Sequence, residues 1–568
     1  MPQEEFPRRF VDPKDVLDRW EAIEPYFDSL RDADCSTVEA LTQWLERYSE
    51  LVACIEEVGT DRHVKMTCQT DDPERKAAFL DFLENIDPKC KPRYQELDTK
   101  YASSEAARAL PQDRYGVLDR AIRARVAVFR EENVTLQTEE AKLAQMYQEI
   151  GGAQTVMFDG KEQTMQMLSL YADDVDRSVR EAAWVKETER RLQDVERLED
   201  IFDKLVDLRH RMALNADCKN FQEYAFLAKQ RFDYTPEDCF AFHDAVERAV
   251  VPVARGLLKK RAAALGVDPL RPWDGSVDVR GRPPLRPFKT AEELCDSTSR
   301  LFHRIHPELG AQFDEMRKHA YLDLQSRKGK APGGYQATYD ESRHPFIFMN
   351  AVGTQRDVRT LIHEGGHAFH CFAARHDPIV AYRSSPIEFA EVASFGMEML
   401  SLDYLDEFYD GEDLARARRS QLEGIISLFP WVATIDAFQH SVYTAPEHDH
   451  DQRRAWWLEL HERFGGIADY TGYEEALAYN WQRQLHLYEV PFYYIEYGIA
   501  KLGALQVWRN AKRDRSQAVE RYRAALALGG SRPLPELFQA AGARFDFSYE
   551  TLAPLMELVS EELEKLPQ

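Results

Sequence analysis

The sequence predicts a mainly α-helical protein with one small β-sheet set beside a metal-binding helix. Three observations predict it. Most of the chain repeats apolar residues at three- and four-residue spacing, the period of an amphipathic helix. β-prone runs are few, and two of them, 335–339 and 345–349, stand together just ahead of residues 357–398. Within 357–398 lies His363-Glu364-Gly365-Gly366-His367, an H-E-x-x-H pattern.

Taken in order, residues 1 to about 145 read as helices with polar faces, in VLDRWEAIEPYFDSL, TVEALTQWLERYSELVACIEEV and PERKAAFLDFLENID. This predicts an N-terminal helical lobe, placed at 1–180 and ending in a short hairpin. QTVMFDGKEQT supplies that hairpin, with Asp159-Gly160 as its turn. A long helical reach follows to about residue 215, with Glu set before Lys or Arg along a solvated face. PWDGSVDVRGRPPLRPF, at 272–288, is rich in Pro and Gly and reads as a surface connection. Pro332-Gly333-Gly334 then breaks the chain before the strand Tyr335-Gln336-Ala337-Thr338-Tyr339. A sheet edge here suits a peptide that binds by adding a strand, so Gly333, Gly334 and Tyr335 are candidate substrate-binding residues.

The chemistry is concentrated in the next segment. His363 and His367 stand four apart, so a helix places both imidazoles on one face, one turn apart. Two nitrogens can then meet one ion. Glu364 sits about 100° round the helix, where a general base can face the open coordination position. Gly365 and Gly366 each cost a helix interior about 1 kcal/mol. That cost fits a place where a strand or a substrate approaches closely. Ser385-Pro386-Ile387-Glu388 has the form of a capping box, which starts a second helix at Pro386. Glu391, one turn in, is the third candidate ligand. Glu388 is assigned to its own cap, and Glu398, two turns further on, to accepting the second N–H of a ligand histidine. His370 suits either a contact beside the site or a core histidine. Asp436 and His440, at i and i+4, read as a buried hydrogen-bonded pair more than as a second metal pair. The loop EHDHDQR is able to scavenge metal non-specifically.

Here the chain resembles a known family. TLIHEGGHAFH, followed 28 residues after His363 by FAEVAS and then Glu398, is similar to the zinc oligopeptidases: oligoendopeptidase F, thimet oligopeptidase and Pz-peptidase. The order of motifs matches too, with GGY and PFIFMN before the metal helix and HLYEVPFYYIEYG after it. The resemblance runs over roughly 180–560, nearest to the oligoendopeptidase F branch. Gly365 departs from it, standing where the family usually carries a bulkier residue such as Phe or Leu. The resemblance implies a large helical zincin-type metallopeptidase with a deep substrate channel between helical lobes, and a catalytic domain at 181–568. It implies one Zn²⁺ per chain, short peptide substrates, and a histidine and tyrosines from 481–512 that bind substrate and stabilise the oxyanion. The best matches are His486, Tyr494 and Tyr497; Pro491 reads as opening a helix on which Tyr494 and Tyr497 are neighbours at i, i+3, with Tyr493 and Tyr497 at i, i+4. Tyr phenols are neutral donors at pH 7, which suits a carbonyl oxygen gaining charge.

The expected reaction is hydrolysis of internal peptide bonds by metal-activated water, with Glu364 as base. A metallocarboxypeptidase is the alternative in the same chemistry. It needs a cation for the terminal carboxylate, and Arg343, Arg356 and Arg359 lie near in sequence. A non-catalytic peptide-binding protein on the same fold is a third reading, against which the intact Glu364 argues. Composition narrows the partners. Apolar content of 44% and charged content of 30% are those of a soluble globular protein. The net charge of −25 disfavours nucleic acid and anionic membrane. The stretch MPQEEFPRRF has no apolar run of a signal sequence, and no stretch approaches 18 apolar residues. Eight cysteines without a CxxC read as reduced thiols, so a cytoplasmic location is expected.

Overall fold

The computed structural model describes residues 5–567; Met1–Glu4, within the MPQEEFPRRF stretch, and Gln568 lie outside the described residues. Helices dominate, and the strands form two small sheets. Six helices position the site: α1 (Val38–Cys68), α2 (Pro236–Ala249), α3 (Gln355–Ala374), α4 (Ile387–Ser401), α5 (Gly411–Thr444) and α6 (Ile495–Arg513). The first sheet is the expected hairpin, β1 (Thr155–Phe158) with β2 (Lys161–Thr164). Asp159 and Gly160 both take positive φ, 52° and 71°, the conformation a two-residue turn requires.

The second sheet has the order β3-β5-β4, from β3 (Leu322–Gln325), β4 (Tyr335–Tyr339) and β5 (His344–Ala351). β4 and β5 form the expected antiparallel pair, with Tyr335 opposite Phe348. β3 joins β5 in parallel, a strand the sequence reading did not include. The segment 272–288 is also more than a surface connection. Trp273, Val277, Leu285 and Phe288 are buried, and the Asp274 carboxylate is fully buried between Arg177 and Arg180 at 2.8 and 3.0 Å. Burying that charge is tolerable because two guanidiniums and the Arg271 backbone N–H satisfy it.

Apolar packing divides into two cores. One runs through residues from Val11 to Ile122 and takes in Ile379 and Tyr382 from the connection after α3. The other runs from Leu136 to Leu563 and holds α2 to α6 and the three-stranded sheet. α1 belongs to the first core yet reaches across to the sheet. Its Thr67 hydroxyl is 2.5 Å from the Tyr335 phenol, and its Glu57 carboxylate accepts the Ser342 N–H at 2.7 Å. All eight cysteines are unpaired. Among the described residues no helix is long and apolar enough to cross a membrane.

Candidate metal centre

α3 begins with a capping box. Thr354 accepts from the Asp357 N–H, and Asp357 accepts from the N–H groups of Thr354 and Val352. Val358, Leu361, Ile362, Phe369 and Phe372 bury one side of the helix. Gly366 lets α4 cross it. A Cβ there would lie 2.6 Å from the Ser394 Cα, so the close approach is made by α4 and not by a strand or a substrate. At Gly365 a Cβ would meet the Phe302 ring at 2.7 Å. Phe302 thus fills the space that a bulkier residue at 365 would take.

That crossing brings Glu391 onto the histidines. Its Oε2 lies 3.4 Å from His363 Nε2 and 3.8 Å from His367 Nε2, and one donor atom from each residue falls within 4.8 Å of the others. The Ser394 hydroxyl holds the same carboxylate oxygen at 2.8 Å. Glu398 Oε1 takes the Nδ1–H of His363 at 2.7 Å, which leaves Nε2 turned to Glu391. Two imidazoles and a carboxylate, with the second nitrogen of one imidazole tied to a buried acid, are a donor set that fits zinc. Burial lowers the His363 pKa, but Glu398 and Glu391 outweigh it and the net shift is upward. Burial pushes His367 down to about 3, with His363 adding to the effect, so its imidazole is neutral and free to donate a lone pair. Glu364 is buried beside this trio. Burial raises its carboxyl to about 7, His363 opposes that, and a backbone hydrogen bond from Gln336 on β4 opposes it too.

Several expectations change here. Ser385 does not cap α4: the helix starts at Ile387 after Pro386, without a side-chain cap, and the Ser385 hydroxyl has no partner. Glu388 is taken instead by the Tyr234 phenol at 2.7 Å, from a residue 154 positions away. Pro491 does not open a helix. Arg231 and Gln439 grip the backbone of Phe492, which sits at φ 61°, and a left-handed residue cannot continue a helix, so α6 begins at Ile495. His370 is a core residue, its Nε2 buried without a partner and its pKa pushed by burial down to about 4. Asp436 and His440 are buried 3.2 Å apart as expected, but the hydrogen bond to Asp436 comes from His243 at 2.9 Å. Arg453 already neutralises the acids beside His450, reaching both Glu199 and Asp203.

The aromatic wall is partly as read. His486 packs on Tyr494 and Tyr497, with ring centroids 4.8 and 6.1 Å apart. The Tyr497 ring meets Phe395, and Phe395 meets His363. After burial, Glu391 is among the groups raising the phenols of Tyr493 and of Tyr497, the latter to about 12. Burial also raises the Tyr494 phenol, with Trp431 opposing it. Tyr493, not among the sequence candidates, thus feels the Glu391 carboxylate, as Tyr497 does. Its i, i+4 spacing to Tyr497 was the available signal. Gly333 takes φ 97° with open space beside it, and Gly334 lets the start of β4 pack closely on α3, where a Cβ would press Thr360 at 3.2 Å. The Tyr335 side chain is committed to Thr67 and Phe348, so it has only backbone to offer a ligand.

The family model of peptidase family M3 matches residues 170–556. The chain belongs to peptidase family M3. The matched span agrees with the 180–560 of the sequence resemblance. An M3 relative, "Oligoendopeptidase F homolog" of Borreliella burgdorferi, is 27% identical over 228 residues, 39% of this chain and 38% of the relative. "Oligopeptidase PepF" of Bacillus subtilis is 23% identical, over 49% of this chain and 42% of the relative. The chain thus matches about two fifths of the length of these curated relatives. A solved structure described as Pz peptidase A with inhibitor 2 superposes with a TM-score of 0.87 at 26% identity, covering 99% of both chains. The fold of that structure is therefore shared over 99% of this chain.

Proposed function

We propose that the protein is a zinc-dependent endopeptidase that hydrolyses internal bonds of short oligopeptides. The observation that carries this is the convergence of His363, His367 and Glu391 on one point, with Glu364 buried beside them and β4 alongside. His363, His367 and Glu391 would hold the ion. When bound, zinc supplies Lewis-acid polarisation of the scissile carbonyl and lowers the pKa of a nearby water. The rest is done by the chain. The outer edge of β4, with Gly333, Gly334 and the backbone of Tyr335, aligns the peptide as an added strand. Glu364 takes the proton of the attacking water and returns it to the leaving amine. His486, with Tyr494 or Tyr497, donates to the carbonyl oxygen as charge grows on it. Glu398 holds His363 in the tautomer that leaves Nε2 available.

In this reading the lobe 1–180 and the catalytic domain 181–568 enclose a channel that admits short unfolded peptides. The separate core from Val11 to Ile122 supports an N-terminal lobe, although from Leu136 onward the chain packs in the other core, and the unpaired thiols support a cytoplasmic setting. The test is cleavage of a quenched-fluorescent peptide of about ten residues, long enough to lie along a strand edge. Wild type and Glu364→Gln are compared, zinc is assayed in both, and fragments are mapped by mass. Internal cleavage by wild type alone, with zinc retained in both, is the expected result. Stepwise loss of single C-terminal residues would replace the endopeptidase with a carboxypeptidase. No cleavage across a varied peptide set would leave a peptide-binding protein.

A further inference from the structure

Trp431, Gln484 and His486 form a short chain whose hydrogens can be assigned by elimination. An indole N–H only donates. Trp431 Nε1 is 3.0 Å from Gln484 Oε1, so that atom is the amide oxygen and the amide cannot be flipped. Gln484 Nε2 is then an NH₂, and it lies 2.5 Å from His486 Nδ1. An NH₂ only donates, so Nδ1 is the accepting nitrogen and carries no proton. A neutral imidazole has one N–H, and here it is at Nε2. No described protein group is hydrogen-bonded to that Nε2, and it is not sealed in the interior.

We infer that Gln484, locked by Trp431, is a positioning residue that fixes His486 as a neutral Nε2–H donor aimed at substrate. This rests on the reading of His486 as the donor to the reacting carbonyl. The arrangement has a purpose in that role. A neutral imidazole donates to a developing oxyanion without needing a proton from solvent, and a fixed tautomer removes the population that would present a lone pair instead. Burial pushes His486 down to about 4, which keeps it neutral across the working range. The titratable groups packed on it are the phenols of Tyr493, Tyr494 and Tyr497, which are neutral there as well.

The decisive variant is Gln484→Glu, which keeps the shape and the bond from Trp431 but turns the donor into an acceptor. It draws a proton onto Nδ1. Nε2 then keeps its hydrogen only while the imidazole is charged, and presents a lone pair once it is neutral. The expected result is a new alkaline limb in kcat, absent from wild type, with a fall of about 100-fold, the cost of losing one such donor. KM and zinc content stay within about twofold. Trp431→Phe, which frees the amide to flip, is the second variant, for use if the first does not fold. It lowers kcat by roughly threefold to tenfold at all pH values, since a flipped amide wastes part of the population. Wild-type kcat from pH 6 to 9 in the variant measured overturns the inference. So does a parallel loss of kcat, KM and thermal stability, which marks Gln484 as structural only. Failure of wild type itself to cleave any peptide is a different outcome and falls on the function proposed above.

Discussion

At the scale of single residues, Gly366 decides how close α3 and α4 come. The obstacle to a side chain there is the backbone of α4, which cannot turn aside. Gly366→Ala should therefore lose zinc and destabilise by about 3 kcal/mol, the upper end for overpacking, despite gaining about 1 kcal/mol in helix propensity. Gly365→Ala meets only the tip of the Phe302 ring, and should cost about 1 kcal/mol with zinc retained. Urea unfolding and zinc content measured on both variants check the contrast, and equal losses would refute it. Lys501 offers a second case. Its ammonium lies 3.4 Å above the centre of the Phe395 ring and 4.0 Å from Glu398 Oε2, almost wholly buried. A buried carboxylate left without its cation is costly, and the acid in question is the one that orients His363. Lys501→Met should weaken zinc binding roughly tenfold, with partial recovery in Lys501→Arg, read by chelator competition.

At the scale of elements, β3 and the loop leading to β4 are held by one carboxylate. Asp323 accepts from Arg327 and Lys330 at 2.6 and 2.9 Å. Burial alone would raise its pKa, but these partners and Cys68 bring it down to about 2. A depressed carboxyl stabilises the fold above its unfolded value near 3.8, and that contribution is lost as pH falls towards 2. Asp323→Asn should thus cost about 2 kcal/mol at pH 6 and nearly nothing at pH 2. Urea midpoints of both proteins at the two pH values test this; a difference that does not shrink on acidification would assign the effect to packing. The same element shows what the sequence makes legible. The hairpin β4–β5 and the helix α3 announce themselves by alternation, by glycine placement and by a four-residue histidine spacing. All of these are local signals. β3 has no such signal, because a parallel strand pairs with a partner more than twenty residues away. The cap at Ser385 and the helix start at Pro491 were misread for one reason. Tyr234 takes Glu388, and Arg231 with Gln439 takes Phe492, and these are long-range competitors that no local pattern displays. At the site, the convergence of His363, His367 and Glu391 is legible because the two histidines stand one helical turn apart and Glu391 and Glu398 lie on one stripe of the next helix. Tyr493 and Gln484 were not, because their importance comes from which neighbour the fold turns towards them.

At the scale of the whole molecule, Tyr382 ties the first apolar core to the chain that follows α3. Its ring is buried in the first core although the residue follows α3 in the chain. Its hydroxyl donates to the Arg114 carbonyl at 2.7 Å, and the Arg114 guanidinium lies over the ring while holding Asp377 at both oxygens. One side chain therefore couples the N-terminal helices to the connection that joins α3 to α4. Tyr382→Ala removes the ring from both partners and should take about 3–5 kcal/mol from that coupling. Because α3, α4 and α6 belong to the other core, zinc should stay bound. α1, however, reaches β4 and its turn through Thr67 and Glu57, so a loosened lobe should release its hold on Tyr335 and on the turn at Ser342. The expected signature is a calorimetric trace that splits, with the first core melting ahead of the second, and a raised KM for long peptides at nearly unchanged kcat. A single transition shifted down as a whole would mean that the cores unfold as one unit. The lobe would then be part of the catalytic body and not a wall docked against it.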